Sequence, residues 1–504
     1  MVSQCGRLGS DQEWRPLCLM AGGDIVMFGL LIEHPPTYRP EREYICDVMF
    51  GEFLGIEYQS IIGDDPDVTT VSVRDDSSGK CLVLHEALFS TPHEQWLTED
   101  SLPHQPLDRW MLPNAFRSIL EVSSNIPVIY GQRISENCYY EELDSGIRLG
   151  LDILGSAFFM LTRYEEVVKS DRDEHDRFPA AASLAYQEGF LERPIINEYL
   201  EILWTCLKRL WPGLERKQRQ YQVVLSHDVD QVFSVIGSSL VHVARNVVGD
   251  LIRRQDAGLA LRRVLALASS GAKREGLDPS ATFDFIMDTS DKHGCRSAFY
   301  FMAADRRSRF DDGYPIGGGH VRRLLQNIAA RGHEIGFHAS YNAFRDPMLA
   351  RAELDRLSGV MDEEHISQKP LGGRQHYLRW EAPTTWRIWD ELGLTYDSTV
   401  GFPYAPGFRA GICYQYPVFD LLERAKLRLV ERPLLFMEAS MLTPDCSDGD
   451  ARRLAECIGK YSAVCRMYDG DLTILWHNGN LRTTRHKRLY EQVIATAVNQ
   501  KQGT

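Results

Sequence analysis

The sequence predicts an α/β protein whose second half builds a parallel sheet, either open or closed as a barrel. Beyond residue 221, short apolar runs alternate with stretches of helical periodicity, which is the pattern of repeated strand–helix units. Several of these apolar runs end in a residue suited to acid–base or metal chemistry. The predicted strands of this half are 223–226, 297–302, 334–338, 395–398, 427–430 and 472–476.

The first part of the chain has a mixed character and is predicted to be a separate α/β domain of residues 1–215. Strand-like runs come early in it, and helical periodicity follows. Trp211-Pro-Gly213 ends the last helical pattern, so the boundary with the second domain, 216–504, is placed there. The strand-like runs are 25–28, 69–73 and 81–84, and the helical patterns are 149–163 and 196–210.

Two charged stretches interrupt this organisation. Residues 236–276 form a predicted helical insertion that is rich in arginine and lysine and has few acids. A solvated helix face is the favoured interpretation, ahead of contact with an anionic carrier or a membrane surface. The polar run 171–177 resembles a cluster of metal ligands. Because it lies between helical segments, a solvated loop is favoured there too.

Composition narrows the class of protein. A chain of 504 residues with 44% hydrophobic and 25% charged residues is typical of a soluble globular protein of two or three domains. The formal net charge of −14 argues against broad nucleic-acid binding. None of the eleven cysteines forms a C-x-x-C pair, which fits reduced thiols in a cytosol. No signal peptide or transmembrane segment is recognisable, so a cytoplasmic protein is expected. Composition leaves the oligomeric state open.

The strongest chemical signal is the segment 221–230, a short apolar run that ends in Asp228 and Asp230. Two carboxylates at this spacing can divide the work, one holding a metal ion and one accepting a proton. The carboxyl ends of parallel strands meet at one edge of a sheet, where α/β enzymes keep their chemistry. His338 ends the run 334–338 in the same way and is a candidate metal ligand. His333, five residues earlier, faces the other side of that strand.

Three further segments supply candidates. In an extended segment Arg374 and His376 share a face, and Arg374 can then pair with a catalytic carboxylate and fix its orientation. Asp397 and His477 each follow an apolar run as well. One histidine at the end of a strand is more often structural than catalytic, but five strand ends that all finish in chemically useful residues indicate an active site.

The order of these segments resembles the polysaccharide deacetylase superfamily (NodB homology, carbohydrate esterase family 4). The residues of these segments are more similar to those of a divergent bacterial subgroup that carries an extra N-terminal domain. Residues 158–166 and 189–196 resemble that domain. The resemblance implies a distorted (β/α) barrel preceded by a mixed α/β domain. The five motifs map onto 227–230, 333–342, 374–379, 396–402 and 475–478.

The resemblance also implies roles. Asp228 would be the general base and Arg374 would orient it. Asp230 and His338 would bind a divalent metal, most often zinc. His477 would be the general acid, with Asp397 tuning or orienting it.

The sequence leaves the identity of the third metal ligand open. The family's second histidine is replaced by Asn342, and an amide is a poor zinc ligand. His376 is the favoured substitute, ahead of Asn342 itself. His227 is a weaker candidate, because it should point away from the face of Asp228 and Asp230.

The function predicted is metal-dependent removal of an N-acetyl group from an amino sugar, as in a precursor of a cell-envelope or capsule polysaccharide. One alternative is hydrolysis of a small amide that is not a sugar. Another is a degenerate barrel that binds glycans or partners without turnover. Retention of Asp228, Arg374 and His477 favours an enzyme, because a binding protein needs neither an oriented base nor a separate acid.

Overall fold

Two β-sheets and the helices around them organise the chain. The structure is a computed structural model that describes residues 29–499 except 75, 77, 118–124, 137, 253–255, 306, 307, 312 and 443–447. The predicted strand at 25–28 lies outside the described residues. Within the described ranges no helix is long and apolar enough to cross a membrane.

The strands are β1 (Leu30–His34), β2 (Tyr58–Ile62), β3 (Val68–Val73), β4 (Cys81–His85), β5 (Asp108–Met111), β6 (Asn125–Val128), β7 (Tyr140–Leu143), β8 (Gly146–Leu149), β9 (Gln222–Val229), β10 (Ser297–Met302), β11 (Glu334–Ala339), β12 (Gly372–Gln375), β13 (Tyr396–Asp397), β14 (Tyr416–Asp420), β15 (Ala425–Glu431), β16 (Phe436–Met437) and β17 (Asp471–Leu475).

The α-helices are α1 (Arg39–Cys46), which a π-helical stretch Asp47–Leu54 continues, α2 (Asn114–Arg117), α3 (Ile153–Leu161), α4 (Tyr164–Val168), α5 (Leu184–Gln187), α6 (Ile195–Leu210), α7 (Leu240–Ile252), α8 (Ala257–Ala268), α9 (Gly271–Leu277), α10 (Phe283–Lys292), α11 (Gly319–Ala330), α12 (Pro347–Glu363), α13 (Thr384–Glu391), α14 (Asp448–Met467) and α15 (Thr484–Asn499).

The first sheet is mixed and has the order β2-β1-β3-β4-β8-β7. Strand β3 alternates half-buried and buried residues, as expected of a strand with one face on a core. Every residue of α3 is buried, which matches its unbroken apolar sequence. The long helix α6 also contributes most of its side chains to this core.

The second sheet positions the candidate site. Its order is β14-β15-β13-β12-β11-β10-β9-β17-β16, and all neighbours are parallel except β14 and β15. Strands β10 and β11 are buried along their whole length, which explains their apolar runs. This is the parallel α/β architecture that the alternation predicted.

A full barrel is not confirmed. The sheet curls into a half-barrel whose two edge strands in the described ranges are β14 and β16. The backbone N–H of Leu434, just ahead of β16, donates to Val400 O at 3.0 Å, just beyond β13. Strands β13 and β16 have only two residues each, too few for a ladder of hydrogen bonds between them.

One glycine fixes the close approach of two strands below the site. A Cβ on Gly373 would lie 1.8 Å from Phe337 O, so only glycine fits at this position of β12. The next residues along, His338 of β11 and Arg374 of β12, are register partners. The Gly-Gly-Arg sequence of β12 therefore brings two candidate site residues side by side.

The two halves of the chain pack on each other through apolar and ionic contacts. One hydrophobic core includes residues of both sheets. The buried Glu166 accepts hydrogen bonds from Arg163 Nε and Arg409 Nε, both at 2.9 Å. A domain boundary at residue 215 stays a prediction, and the core is continuous across it.

Candidate active site

The ends of several strands of the second sheet surround one cleft. Its volume is about 350 Å³, and one wall comes from the first half of the chain through Arg177. Asp228 lies in β9, His338 in β11 and Arg374 in β12, while His477 follows β17. The residues lining the cleft are Arg177, Asp228, Asp230, Arg309, Phe310, His376, Tyr377, Leu378, Pro403, Tyr404, Met437, Ala439, Leu475 and His477.

Asp228 is held by Arg374 in a buried ion pair. The Arg374 Nη1 donates to Asp228 Oδ1 at 2.8 Å, and both side chains are buried. The guanidinium also donates to Ser398 O at 2.8 Å and to two serine hydroxyls at 3.0 Å, those of Ser226 and Ser398. Because its donors are occupied, Arg374 has one orientation and imposes it on Asp228.

The charge state of Asp228 follows from these contacts. Burial by itself raises the pKa of the carboxyl, but the positive charge of Arg374, followed by His338 and His477, outweighs burial and lowers that pKa. Asp228 is therefore ionised at neutral pH and able to accept a proton.

Asp230, His338 and His376 form a cluster whose candidate ligand atoms all lie within 4.8 Å of one another. The Asp230 Oδ1 is 3.2 Å from His338 Nε2 and 3.5 Å from His376 Nε2. Among the described histidines, cysteines, aspartates and glutamates, this is the group with the geometry of a metal site. His376 lies in a 3₁₀ turn just after β12, not in the strand itself.

The other ring nitrogen of each histidine is already bonded. His338 Nδ1 lies 2.8 Å from Arg374 O, and His376 Nδ1 lies 2.8 Å from Asp311 Oδ1. Both partners are acceptors, so each Nδ1 carries a proton, and each Nε2 faces Asp230. In the neutral ring each Nε2 offers a lone pair beside a carboxylate oxygen, and these residues therefore fit a divalent metal.

His477 is held by a glutamate. Its Nδ1 lies 2.8 Å from Glu438 Oε1, and its backbone N–H donates to the same oxygen at 2.9 Å. The Nε2 faces the cleft, 3.9 Å from Asp230 Oδ2. Burial lowers the pKa of His477, but Glu438, Asp230 and Asp228 together raise it to about 10. His477 is therefore protonated at neutral pH.

Asp397 was expected to tune or orient His477, and Glu438 has that place instead. The Asp397 carboxylate is fully buried between β12 and β15, where its Oδ1 accepts from the backbone N–H of Thr399 at 3.0 Å. It is the register partner of the buried Glu431 in β15. The correction has a physical reason, because Asp397 lies within its strand and Glu438 lies just beyond β16.

Three other sequence candidates lie apart from the ligand cluster. Asn342 is exposed, and its Oδ1 accepts a hydrogen bond from Arg379 at 3.3 Å. Of the two candidates for the third ligand, His376 therefore joins the cluster and Asn342 does not. His227 is buried with its Nδ1 2.8 Å from Trp476 O, and burial lowers its pKa to about 4. His333 is buried and its Nδ1 accepts from the Ser297 N–H.

The polar run 171–177 is more than a solvated loop. His175 Nδ1 lies 3.0 Å from the Tyr341 hydroxyl, and Arg177 donates to Tyr377 O at 2.8 Å. Asp173 Oδ2 accepts from Arg177 Nε at 2.8 Å and holds that guanidinium at the cleft. This run carries Arg177 from the first half of the chain into the candidate active site.

Sequence reasoning missed Glu438, Asp311 and Arg177. Glu438 follows a strand of two residues, which leaves no periodicity to read. Asp311 lies nine residues beyond the end of β10, so only its position on the carboxyl side of a strand could have indicated it. Arg177 lies in the polar run 171–177, but nothing in the sequence placed that run at the site, because its partners Tyr377 and Tyr404 are 200 and 227 residues away in the chain.

The Asp397–Glu431 pair predicts how stability depends on pH. Burial raises the pKa of both carboxyls, and the negative charge of Asp397 raises that of Glu431 further. The folded protein then keeps a proton that the unfolded chain has released, so the free energy of unfolding falls as the pH rises through the window above the unfolded pKa. We expect a loss on the order of 1–3 kcal/mol between about pH 5 and pH 8.

Asp397→Asn should reduce this slope, since an amide has no proton to release, while burial still raises the pKa of Glu431. The measurement is urea unfolding of both proteins across that pH range. Asp284→Asn, at an aspartate with 77% exposure, is the matched control and should keep the wild-type slope. An Asp397→Asn variant with the wild-type slope would contradict the prediction.

Comparison with known proteins finds distant relations only. The family described as "Family of unknown function (DUF7033)" matches residues 30–212, which span the first sheet. No curated protein matches the chain. The chain shares 14% identity and a TM-score of 0.36 with a protein assigned as a polysaccharide deacetylase from Mycobacterium smegmatis, over 56% of this chain and 86% of that one.

Two further solved structures are similar at the same level. A protein assigned as a polysaccharide deacetylase from Pseudomonas aeruginosa PAO1 has 11% identity and a TM-score of 0.35, over 62% of this chain and 90% of that one. Puue allantoinase has 10% identity and a TM-score of 0.34, over 56% and 85%. These values describe a distant structural relation.

Proposed function

We propose that this protein is a metal-dependent amide hydrolase that removes an N-acetyl group from an amino sugar, such as a precursor of a cell-envelope or capsule polysaccharide. One observation carries the proposal. A carboxylate fixed by arginine and a protonated histidine fixed by glutamate line one cleft together with Asp230 and His376, two of the three residues of the metal-ligand cluster. A base, an acid and a cation site in one cleft are what amide hydrolysis requires.

Asp230, His338 and His376 would hold the metal, and zinc suits a site of two imidazoles and one carboxylate with a position left open. When bound, the ion would act as a Lewis acid on the amide carbonyl and lower the pKa of the attacking water. Asp311 and the carbonyl of Arg374 keep the two imidazoles in the required tautomer.

The protein's own groups account for the protons. Asp228 accepts a proton from the water as its oxygen bonds to the carbonyl carbon. His477 then donates its Nε2 proton to the amide nitrogen as the carbon–nitrogen bond breaks. The products are acetic acid, which loses its proton to solvent and becomes acetate, and the free amine, with one proton taken up by Asp228 and one given by His477.

The cleft suits a sugar ring. Tyr377, Tyr404 and Phe310 line it with aromatic side chains, and Arg177 adds a guanidinium on the side of the first half of the chain. The volume of the cleft, about 350 Å³, lies in the range typical of small-molecule sites, and its lining combines aromatic with charged side chains. These features support a sugar over an extended peptide.

Metal content tests the ligand assignment. Loss of a residue that only hydrogen-bonds a metal ligand lowers metal affinity by about 10–100-fold, and Asp311→Asn should fall within that range. His376→Ala removes a ligand itself and should lower the affinity for zinc by more than that. Competition with a chromogenic chelator measures both. His104→Ala, at an exposed histidine, is the matched control. A His376→Ala variant with full zinc affinity would show that the third ligand is another residue.

Product analysis tests the reaction. Purified protein with zinc should release acetate from an N-acetylated amino sugar or nucleotide sugar. Ring opening of a cyclic amide, or release of ammonia from a linear primary amide, with no acetate from any sugar, would favour the small-amide hydrolase. Glycan binding without any turnover by the metal-loaded protein would favour the degenerate binding barrel and overturn the proposal.

A further inference from the structure

Exposed apolar side chains are concentrated on two helices of the predicted basic insertion. Of seventeen large hydrophobic residues that are exposed in the described ranges, nine lie on α7 and α8. Isolated exposed apolar residues are normal, but a concentration on one element indicates an interaction surface. The nine are Leu240, Val241, Val248, Leu251, Ile252, Leu261, Val264, Leu265 and Leu267.

On each helix these residues form a stripe. In α7, Val241, Val248 and Leu251 recur at spacings of seven and three residues, and in α8, Leu261, Val264 and Leu265 recur at spacings of three and one. Such spacings place side chains on one face of a helix. The exposed faces of α7 and α8 are therefore largely apolar, and the solvated helix face stays a prediction.

The helix pair is firmly built despite its exposed apolar faces. Asp250 and Arg263 form an ion pair at 2.6 Å in which both side chains are fully buried. Arg263 also donates to Ser234 Oγ at 2.8 Å. Asp278 accepts backbone N–H bonds from Val235 at 2.8 Å and from its neighbours, which fixes the start of the insertion. The apolar stripes therefore belong to a specific fold of this segment.

The charge around these stripes is positive in a chain that is negative overall. Residues 236–276 contain seven arginines and lysines and three acids, while the whole chain carries −14. Asp250 is neutralised in its ion pair, Asp256 caps α8, and Glu275 pairs with Arg323. Arg245 and Lys273 are exposed. Apolar stripes beside basic residues match a surface of anionic lipid headgroups over acyl chains.

A second copy of this chain fits less well, because two such surfaces would bring like charges together. The insertion also adjoins the cleft. Gln231 O, ahead of α7, accepts from Asn478 Nδ2 at 2.9 Å, and Thr282, after α9, donates to Asn478 O at 3.1 Å. Asn478 directly follows His477, so the segments on either side of the insertion contact a residue next to the candidate acid.

We propose that α7 and α8 lie on an anionic lipid bilayer and hold the cleft close to its surface. The consequence for the substrate rests on the function proposed above. The placement implies that the substrate is an N-acetylated sugar carried on a lipid. Docking itself depends only on the insertion and requires neither metal nor turnover.

The test is co-sedimentation of the full chain with phospholipid vesicles. Wild-type protein should pellet with vesicles of phosphatidylcholine that contain phosphatidylglycerol, and pelleting should weaken with added salt. Val241→Ser, Val248→Ser, Leu261→Ser and Leu265→Ser combined should lower binding by at least about tenfold. Arg245→Glu with Lys273→Glu should also lower it by about tenfold or more.

The control is Met348→Ser with Leu422→Ser, which removes two exposed apolar residues elsewhere and should bind vesicles as wild type does. Thermal melting checks that every variant is folded. A wild type that stays in the supernatant, or an apolar variant that pellets normally, would overturn the proposal. The proposal would also be overturned if the wild type forms a dimer and does not bind vesicles, and the same substitutions dissociate that dimer.

The two proposals fail separately. The apolar variant should still deacetylate a water-soluble N-acetyl sugar at the wild-type rate, and Asp228→Asn should still bind vesicles. A wild-type protein that turns over substrate normally but does not bind vesicles would reject docking alone. Normal docking without turnover would reject the proposed function alone.

Discussion

Asp228→Asn is expected to lower kcat for amide hydrolysis by about 10²- to 10⁴-fold, the contribution typical of a general base. The carboxylate is ionised because Arg374 donates to it in a buried pair, and an amide at the same position cannot accept the proton of the attacking water. Metal content should stay unchanged, because Asp228 is not one of the three clustered ligand residues. Steady-state kinetics on an N-acetylated substrate, with bound zinc measured in the same samples, checks the prediction.

The same change has a cost in stability. The substituted amide would keep an acceptor for Arg374 but lose the charge that compensates its buried guanidinium. Breaking a buried pair in this way destabilises proteins by about 3–5 kcal/mol, so activity must be measured on protein shown to be folded. Asp305→Asn, at a solvent-exposed aspartate beyond β10, is the matched control and should keep full activity. An Asp228→Asn variant with more than about a tenth of wild-type kcat would remove Asp228 as the base.

His477→Gln is expected to produce a loss of similar size, about 10²- to 10⁴-fold, because the leaving amine would have to depart without a proton. This loss should depend on the leaving group. An aryl acetate ester releases a phenolate that needs no protonation, so His477→Gln should impair ester hydrolysis far less than amide hydrolysis. Asp228→Asn should impair both, since each reaction needs the base.

Glu438→Gln is the companion variant for this test. It keeps a hydrogen-bond acceptor beside His477 Nδ1 but removes the negative charge that raises the pKa of the histidine. We expect an intermediate loss on the amide and little change on the ester. Equal losses of His477→Gln on amide and ester would show that His477 does not act as the leaving-group acid.

The sequence by itself determined which residues stand at the strand ends. Apolar runs of four to six residues predicted β9, β10, β11 and β17 close to where they lie, because a buried parallel strand needs a continuous apolar sequence. Parallel strands bring their carboxyl ends to one edge, so Asp228, His338 and Arg374 were expected to meet. The Arg374–Asp228 contact lies where that argument predicts it.

The tertiary structure alone decided the partners of those residues. Glu438 reaches His477 across 39 residues, Asp311 reaches His376 across 65, and Arg177 reaches the cleft from the first half of the chain. None of these contacts follows from local periodicity, because each depends on how loops beyond short strands pack. The position of Asp397 beside Glu431 and the open edge of the sheet have the same cause. Strands β13 and β16 have two residues each, so long-range contacts determine the direction of the chain there.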